Sequence, residues 1–185
     1  KLAGPFDHDV PVLKITDNTG KLTAVLFGYA CHATVLSDYD WSSDYPGFAQ
    51  SALEASHPGC TALFFAGCGA DQNPLPRRKV ELARQYGQDL ATAVDAVLAK
   101  PLTPISGSLR VRATTIDLPL ARPLTAEEVD AEAKSTDKYL AARARRYQHM
   151  LAAGQALPTS YPYPIQAWRL GDGPTMITLG GEVVV

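Results

Sequence analysis

Apolar runs of strand length recur along the first third of the chain. The runs at 10–16, 22–30 and 61–66 predict β-strands. The segment Asp17-Asn18-Thr19-Gly20 between the first two has the composition of a hairpin turn. The run at 61–66 has no polar interruption after Thr61, which is typical of a central strand buried on both faces.

Between and after these strands the spacing of apolar residues becomes helical. A short helix is predicted from Tyr45 to Ser56, with Asp44 as its N-cap. A longer one is predicted over 77–100, where small and apolar residues recur every three or four positions. Gly87 lies inside that apolar stripe, which indicates close packing against a neighbouring element.

The second half repeats the alternation of strand and helix signals. Thr125 followed by Glu128 is a capping box that opens a helical region, and 135–137 is expected to interrupt it. Strands are predicted at 109–118, at 165–170 after a proline-rich extended lead-in, and at 175–179 with a continuation over 183–185. The pattern predicts an α/β to α+β fold with a mixed β-sheet core flanked by helices.

Composition narrows the class of protein. The chain has 185 residues, 46% hydrophobic and 19% charged, with a formal net charge of −2. This is globular composition without the basic surface that nucleic acid requires, and no apolar run reaches the roughly 20 residues of a membrane span. The chain starts at Lys1 and ends at Val185 inside an apolar run, so we expect residues 1–185 to be one segment of a longer protein, truncated at both ends.

The three cysteines do not indicate a metal site or a disulfide scaffold. Cys31, Cys60 and Cys68 form no C-x-x-C pair, which argues against a thiolate zinc finger. They are interpreted as small buried residues, and one bridge between Cys31 and Cys68 stays open if their strands are neighbours.

His32 is the first candidate for chemistry. It ends the apolar run at 22–30 and is flanked by small residues in Gly28-Tyr29-Ala30-Cys31-His32-Ala33-Thr34. Strand ends often supply catalytic and metal-binding side chains, although a lone histidine can equally be a hydrogen-bonded structural residue. Asp7-His8-Asp9 could also bind a metal, but nothing nearby completes a site, so a lead-in loop is the preferred interpretation.

Two further features carry polar groups where apolar ones are expected. The run at 61–66 opens into Gly67-Cys68-Gly69-Ala70-Asp71-Gln72-Asn73-Pro74, whose glycines allow close backbone approach and whose side chains supply hydrogen-bond donors and acceptors. A tight strand-to-helix connection would have the same composition. Glu182 lies between two glycines and three valines, where it is predicted to be a buried carboxylate in a core strand. Because burying an unpaired charge is costly, it should have a partner cation or a raised pKa.

Four stretches together resemble the neutral (non-lysosomal) ceramidase family. They are the opening 4–13, the histidine segment 28–34, Ser43-Asp44-Tyr45-Pro46-Gly47-Phe48-Ala49, and Leu179-Gly180-Gly181-Glu182, where Gly180 replaces the usual proline. The resemblance implies hydrolysis of the amide of an N-acyl lipid with one zinc ion. It makes His32 and Glu182 two zinc ligands and places the other two, a histidine and a tyrosine, outside this segment. It also implies that residues 1–185 are one segment of a larger catalytic domain, and that the protein is secreted or periplasmic.

The loop at 69–74 departs from that family. Its catalytic serine corresponds to Gln72, which cannot act as a nucleophile. The natural attacker is then a metal-bound water, with Asp71 as candidate general base and Asn73 as a hydrogen-bond donor to the oxyanion. Gly69, Gln72, Asp44 and Tyr39 are the candidate substrate-binding residues.

The expected function is therefore a zinc-dependent amide hydrolase acting on a small-molecule N-acyl or lipid-like substrate. The loss of the serine favours an alternative, a non-catalytic descendant that binds a lipid or glycan or acts as a scaffold. A third possibility keeps the metal but acts on an N-acylated sugar or peptide, with the aromatic loop from Tyr39 to Trp41 lining the pocket; a packed surface loop would explain these aromatics equally well.

Overall fold

The computed structural model describes residues 4–185, which form two compact units. The first unit comprises the described residues up to Pro104 together with Gly181–Val185, and the second comprises Ile105–Gly180. Within residues 4–185, six strands are interspersed with four helices, which confirms the predicted mixed α and β fold class. That residues 1–185 are one segment of a larger catalytic domain stays a prediction.

The first unit is built on a mixed three-stranded sheet. Its strands are β1 (Val12–Thr16), β2 (Leu22–Tyr29) and β3 (Thr61–Ala66), in the order β1-β2-β3. The predicted hairpin joins β1 and β2 in antiparallel pairing, and β2 runs parallel to β3. The prediction of β3 as a central strand is wrong among the described residues, because β3 pairs only with β2 and several of its side chains remain exposed.

Two helices, α1 (Asp44–Ser56) and α2 (Val80–Leu98), cover one face of this sheet. β2 alternates in burial, so that Val25 and Phe27 are fully buried within the core that also contains residues of both helices. A side chain at Gly87 would overlap Phe48 and the Tyr45 carbonyl, which confirms the predicted close packing of α2 at this position. The fully buried side chains of the two helices are those of Ala49, Leu53, Ala83 and Val94.

The second unit contains an antiparallel sheet and two helices. In chain order these are β4 (Leu109–Pro119), α3 (Ala126–Glu132), α4 (Lys138–Ala152), β5 (Ser160–Leu170) and β6 (Thr175–Leu179), with sheet order β4-β5-β6. The capping box of Thr125 and Glu128 is present as predicted. Asp137 caps α4 and accepts from the amides of Tyr139 and Leu140, so 135–137 does interrupt the helical region.

Two strand predictions need correction. The proline-rich segment predicted as a lead-in is itself part of β5, since the backbone of Pro162 and Pro164 is compatible with an extended strand. β6 pairs with β5 only over Ile165–Arg169, so these prolines interrupt no ladder on that side. The predicted strand at 183–185 is absent from the described structure, and these residues lie in the first unit, apart from β6.

No helix within residues 4–185 is both long enough and apolar enough to cross a membrane.

Candidate functional site

The candidate site lies where two parallel strands end. β2 and β3 point the same way, so the segments that follow them leave the sheet at the same edge. His32 follows β2 and is linked to the segment after β3 by two hydrogen bonds. Its backbone amide donates to the Gln72 carbonyl at 2.9 Å, and its Nε2 donates to the Ala70 carbonyl at 2.7 Å. The histidine segment after β2 and the glycine-containing loop after β3 are therefore joined by hydrogen bonds at one edge of the sheet.

The Ala70 hydrogen bond fixes which nitrogen of His32 carries the proton. A carbonyl oxygen can only accept, so Nε2 must be the protonated nitrogen, and in the neutral ring Nδ1 keeps its lone pair. Nδ1 lies 4.0 Å from Oε1 of Glu182, too far for a hydrogen bond. Metal-binding histidines commonly have this arrangement, with the second ring nitrogen donating to a backbone carbonyl.

The loop that binds His32 also binds the segment that carries Glu182. The backbone amide of Ala70 donates to the Val183 carbonyl at 3.0 Å, so Ala70 holds the histidine with its carbonyl and the glutamate segment with its amide. The side chain of Glu182 is 76% exposed, so the predicted burial of this carboxylate is wrong. His32 and Glu182 do lie together, as the metal hypothesis requires, and their assignment as ligands stays a prediction.

Gly69 allows the two strand ends to approach each other. A β-carbon at this position would overlap the backbone of Ala30 and Cys31, so no larger residue fits without a shift of one segment. The predicted close backbone approach is found here. Its assignment as a substrate-binding residue stays a prediction.

The polar residues of the loop differ in how they are held. Asp71 is exposed, and the side-chain amide of Gln72 donates to the Pro5 carbonyl at 3.4 Å. Oδ1 of Asn73 accepts from Nη1 of Arg77 at 3.1 Å and from the Thr34 hydroxyl at 3.4 Å. Because Oδ1 has these donors, the Nδ2 amide group of Asn73 is the part that can serve a ligand.

Sequence reasoning missed Ala70 and Arg77. Ala70 contributes through its backbone amide and carbonyl, which any residue would supply, so its residue type gives no signal in the sequence. Arg77 follows the loop by four residues and was included only as the start of a predicted helix, although α2 begins at Val80. An arginine shortly after an asparagine-bearing loop was the available signal.

Asp44 is a buried residue whose carboxylate holds the backbone that follows the histidine segment. It is 5% exposed, and its carboxylate accepts from the amides of Val35, Leu36 and Tyr45 at 3.2, 2.8 and 2.7 Å. Ser43 precedes α1 in the N-cap position, so the prediction of Asp44 as the N-cap is wrong. Its φ of +53° lies in the left-handed region that aspartate tolerates better than most residues. All these contacts are structural, and a role in substrate binding stays a prediction.

A cavity of about 480 Å³ adjoins the loop within the first unit. Cys31, Gln72 and Asn73 contribute to its wall, together with residues of the lead-in at 7–10 and of α2. His32 and Glu182 are not part of this wall, and neither is Tyr39, whose side chain is fully exposed like that of Trp41. Burial raises the pKa of the Cys31 thiol and of the Tyr45 hydroxyl, so both stay protonated at neutral pH.

Other candidate groups do not assemble into sites. The cysteines are free, which excludes the bridge between Cys31 and Cys68 in this structure, and Cys68 is exposed rather than buried. Within residues 4–185, no group of three or more His, Cys, Asp or Glu side chains is placed to hold a metal ion. His8 lies 3.3 Å from the Tyr29 hydroxyl, in keeping with its interpretation as part of a lead-in loop.

No protein-family model and no curated protein matches the chain. Solved structures do match its fold, and two of them are ceramidases. One is described as "Ceramidase complexed with C2", with a TM-score of 0.61 and 15% identity over 90% of this chain and 35% of that chain. The other is the neutral ceramidase from Pseudomonas aeruginosa, with a TM-score of 0.56 and 19% identity over 90% of this chain and 33% of that one. The chain thus spans about a third of the ceramidases it matches and shares their fold over that part.

Proposed function

We propose that this chain carries part of the active site of a zinc-dependent amide hydrolase with ceramidase-like architecture, acting on an N-acyl or lipid-like substrate. The observation that carries the proposal is the pair formed by His32 and Glu182, which meet although about 150 positions separate them in sequence. The ceramidase-like fold supports the reaction class. The resemblance of the histidine and glutamate segments to that family supports the residue roles.

The donor set suits a zinc ion. Neutral imidazole nitrogen and carboxylate oxygen are both zinc ligands, with bond lengths of roughly 2.0–2.2 Å. In the tetrahedral geometry of zinc sites, two such bonds place their donor atoms about 3.4 Å apart. The 4.0 Å between Nδ1 of His32 and Oε1 of Glu182 is longer than that, and a small rotation of the exposed Glu182 side chain would close the difference. The two remaining ligands are expected from parts of the protein outside this segment.

The loop residues have complementary roles. Zinc bound there would act as a Lewis acid and lower the pKa of a coordinated water. Asp71 is exposed at the loop and takes the proton of the attacking water. Asn73, whose carbonyl oxygen is held by Arg77, donates from Nδ2 to the substrate oxygen as that oxygen gains negative charge. Gln72 supplies its backbone carbonyl to the His32 amide and takes no part in bond making.

Metal analysis of the intact protein tests the ligand pair directly. His32→Ala and Glu182→Gln should each lower the zinc content and the turnover, whereas His149→Ala, which removes an exposed histidine of the second unit, should change neither. Full zinc occupancy in His32→Ala with a native fold would contradict the ligand assignment. The measurement is inductively coupled plasma mass spectrometry alongside circular dichroism.

Gln72 also favours a second candidate, a non-catalytic protein that binds a lipid or glycan. Its side chain has no nucleophilic atom, and its amide is used in a contact with the Pro5 carbonyl. Turnover assays with N-acyl lipids and simpler N-acyl compounds separate the two candidates when the intact protein is loaded with zinc. Binding without any turnover would favour the second candidate. Secretion or a periplasmic location stays a prediction for either.

A further inference from the structure

The cavity of the first unit has a wall that is partly apolar and partly rich in acceptors. Leu90 and Ala93 of α2 and Val10 of the lead-in give it an apolar side. Its volume of about 480 Å³ falls within the range of small-molecule sites, roughly 300–1,000 Å³. None of its wall residues is needed as a metal ligand in the proposed hydrolase site.

Two tyrosines of the wall already donate their hydroxyl hydrogens to backbone carbonyls. Tyr45 donates its hydroxyl hydrogen to the Cys31 carbonyl at 2.9 Å, and Tyr86 donates to the Pro76 carbonyl at 2.7 Å. A hydroxyl has one hydrogen and two lone pairs, so what these groups retain for a ligand is acceptor capacity. The raised pKa of Tyr45, caused by burial, keeps that hydrogen in place over the whole neutral range.

The formal charges of the wall have one sign. Asp7 and Asp89 both line the cavity, and within the described residues no lysine or arginine does so. Oδ1 of Asp7 accepts from the Asp9 amide and Oδ1 of Asp89 accepts from the side chain of Gln85, each at 2.8 Å. Each carboxylate therefore has its second oxygen for a further donor.

We infer that this cavity binds an organic ammonium ion, a cation with several N–H donors on an apolar body. The acceptors match the N–H groups, the carboxylates match the charge, and the leucine, alanine and tyrosine surfaces match the hydrocarbon part. A neutral isostere would leave the carboxylates without a counter-charge, and an anion would meet two like charges. The inference rests on the cavity, whose wall includes Asn73 of the proposed hydrolase site but neither His32 nor Glu182.

The test uses benzylammonium as the probe, with benzyl alcohol as its neutral isostere, in ligand-observed saturation-transfer titrations of the intact protein. Benzylammonium should bind more tightly than benzyl alcohol and lose affinity as salt rises, because exposed carboxylates are screened. Asp89→Asn should weaken benzylammonium about two- to fivefold, as expected for an exposed ion pair. Ala93→Phe should abolish binding by filling the apolar side.

Glu81→Gln is the matched control, since it removes one negative charge from an exposed position of the same helix outside the cavity. It should leave the affinity of benzylammonium unchanged. Equal affinity for benzyl alcohol, equal losses in Asp89→Asn and Glu81→Gln, or undiminished binding in a folded Ala93→Phe variant would each overturn the inference. A loss of zinc in His32→Ala with unchanged benzylammonium binding would separate this site from the proposed catalytic one.

Discussion

Replacing Asp44 tests whether a buried carboxylate holds the segment that follows His32. The carboxylate accepts three backbone amides, two from Val35 and Leu36 beyond the histidine and one from Tyr45 in α1. Hydrogen bonds to a charged group contribute about 1.5–3 kcal/mol each. Val35 is fully buried, so its amide would find no water in place of the carboxylate.

Asp44→Gly is the informative variant, because glycine accepts the φ of +53° without strain and removes only the side chain. We expect a loss of about 3–5 kcal/mol in the free energy of unfolding, less than the sum of three bonds because water can reach the half-buried Leu36 amide. Asp44→Asn keeps a neutral acceptor in the position of Oδ1, which serves Val35 and Tyr45, and puts an N–H group, which cannot accept from the Leu36 amide, in place of Oδ2. Its expected loss is about 2–3 kcal/mol, smaller than that of Asp44→Gly.

Urea denaturation of the intact protein measures these losses, and amide hydrogen exchange at Val35 and Leu36 locates them. Asp40→Gly, in the exposed loop before α1, is the control for removing an aspartate and adding a glycine. A change below about 0.5 kcal/mol in Asp44→Gly, similar to the control, would refute the supporting role of this carboxylate.

Three further predictions concern local contacts. Gly69→Ala should destabilise the first unit in urea denaturation by about 1–3 kcal/mol, since its β-carbon overlaps the backbone of Ala30 and Cys31, whereas Gly4→Ala, with open space around it, should not. The hydrogen bond from Arg122 lowers the pKa of Glu128 to about 2 from an ordinary 4.5, so its contribution to α3 is complete above pH 4.5 and is lost as the pH falls through 2; an NMR titration with an ordinary midpoint would contradict this. Iodoacetamide should label exposed Cys68 well before buried Cys60, whose pKa is raised by burial, and equal rates in mass spectrometry would contradict the burial.

The parts of the fold that sequence predicted well depend on neighbouring residues. The hairpin at Asp17–Gly20 and the capping box of Thr125 and Glu128 both follow from side chains that bond to nearby backbone. Gly87 was also predicted correctly, because an isolated glycine in an apolar helical stripe has few uses other than close packing.

The parts that sequence did not predict depend on contacts between distant segments. The apolar composition of β3 does not indicate how many strands lie beside it. The carbonyl of Val183 accepts from the Ala70 amide, and residues 183–185 do not extend β6. Aspartate is a residue type that favours the N-cap position, yet the carboxylate of Asp44 accepts hydrogen bonds from the amides of Val35 and Leu36. Such choices are decided by tertiary geometry, which residue type alone does not encode.

The same division applies to the candidate site. His32 and Glu182 were predicted as a pair from the family resemblance, and the structure brings them within 4.0 Å of each other. The backbone groups of Ala70 that position both could not be predicted, since every residue carries the same amide and carbonyl.

The return of Gly181–Val185 to the first unit makes Ile105–Gly180 an insertion in the chain. The pair of His32 and Glu182 therefore closes a long loop, and it can form only after Glu182 has been synthesised. Loop-closure entropy grows slowly with length, by about 0.6 kcal/mol for each doubling. The inserted segment could thus lengthen or shorten at small cost to the pairing. The spacing between Gly69, Ala70 and Gln72 has no such freedom, because their backbones contact the histidine segment directly.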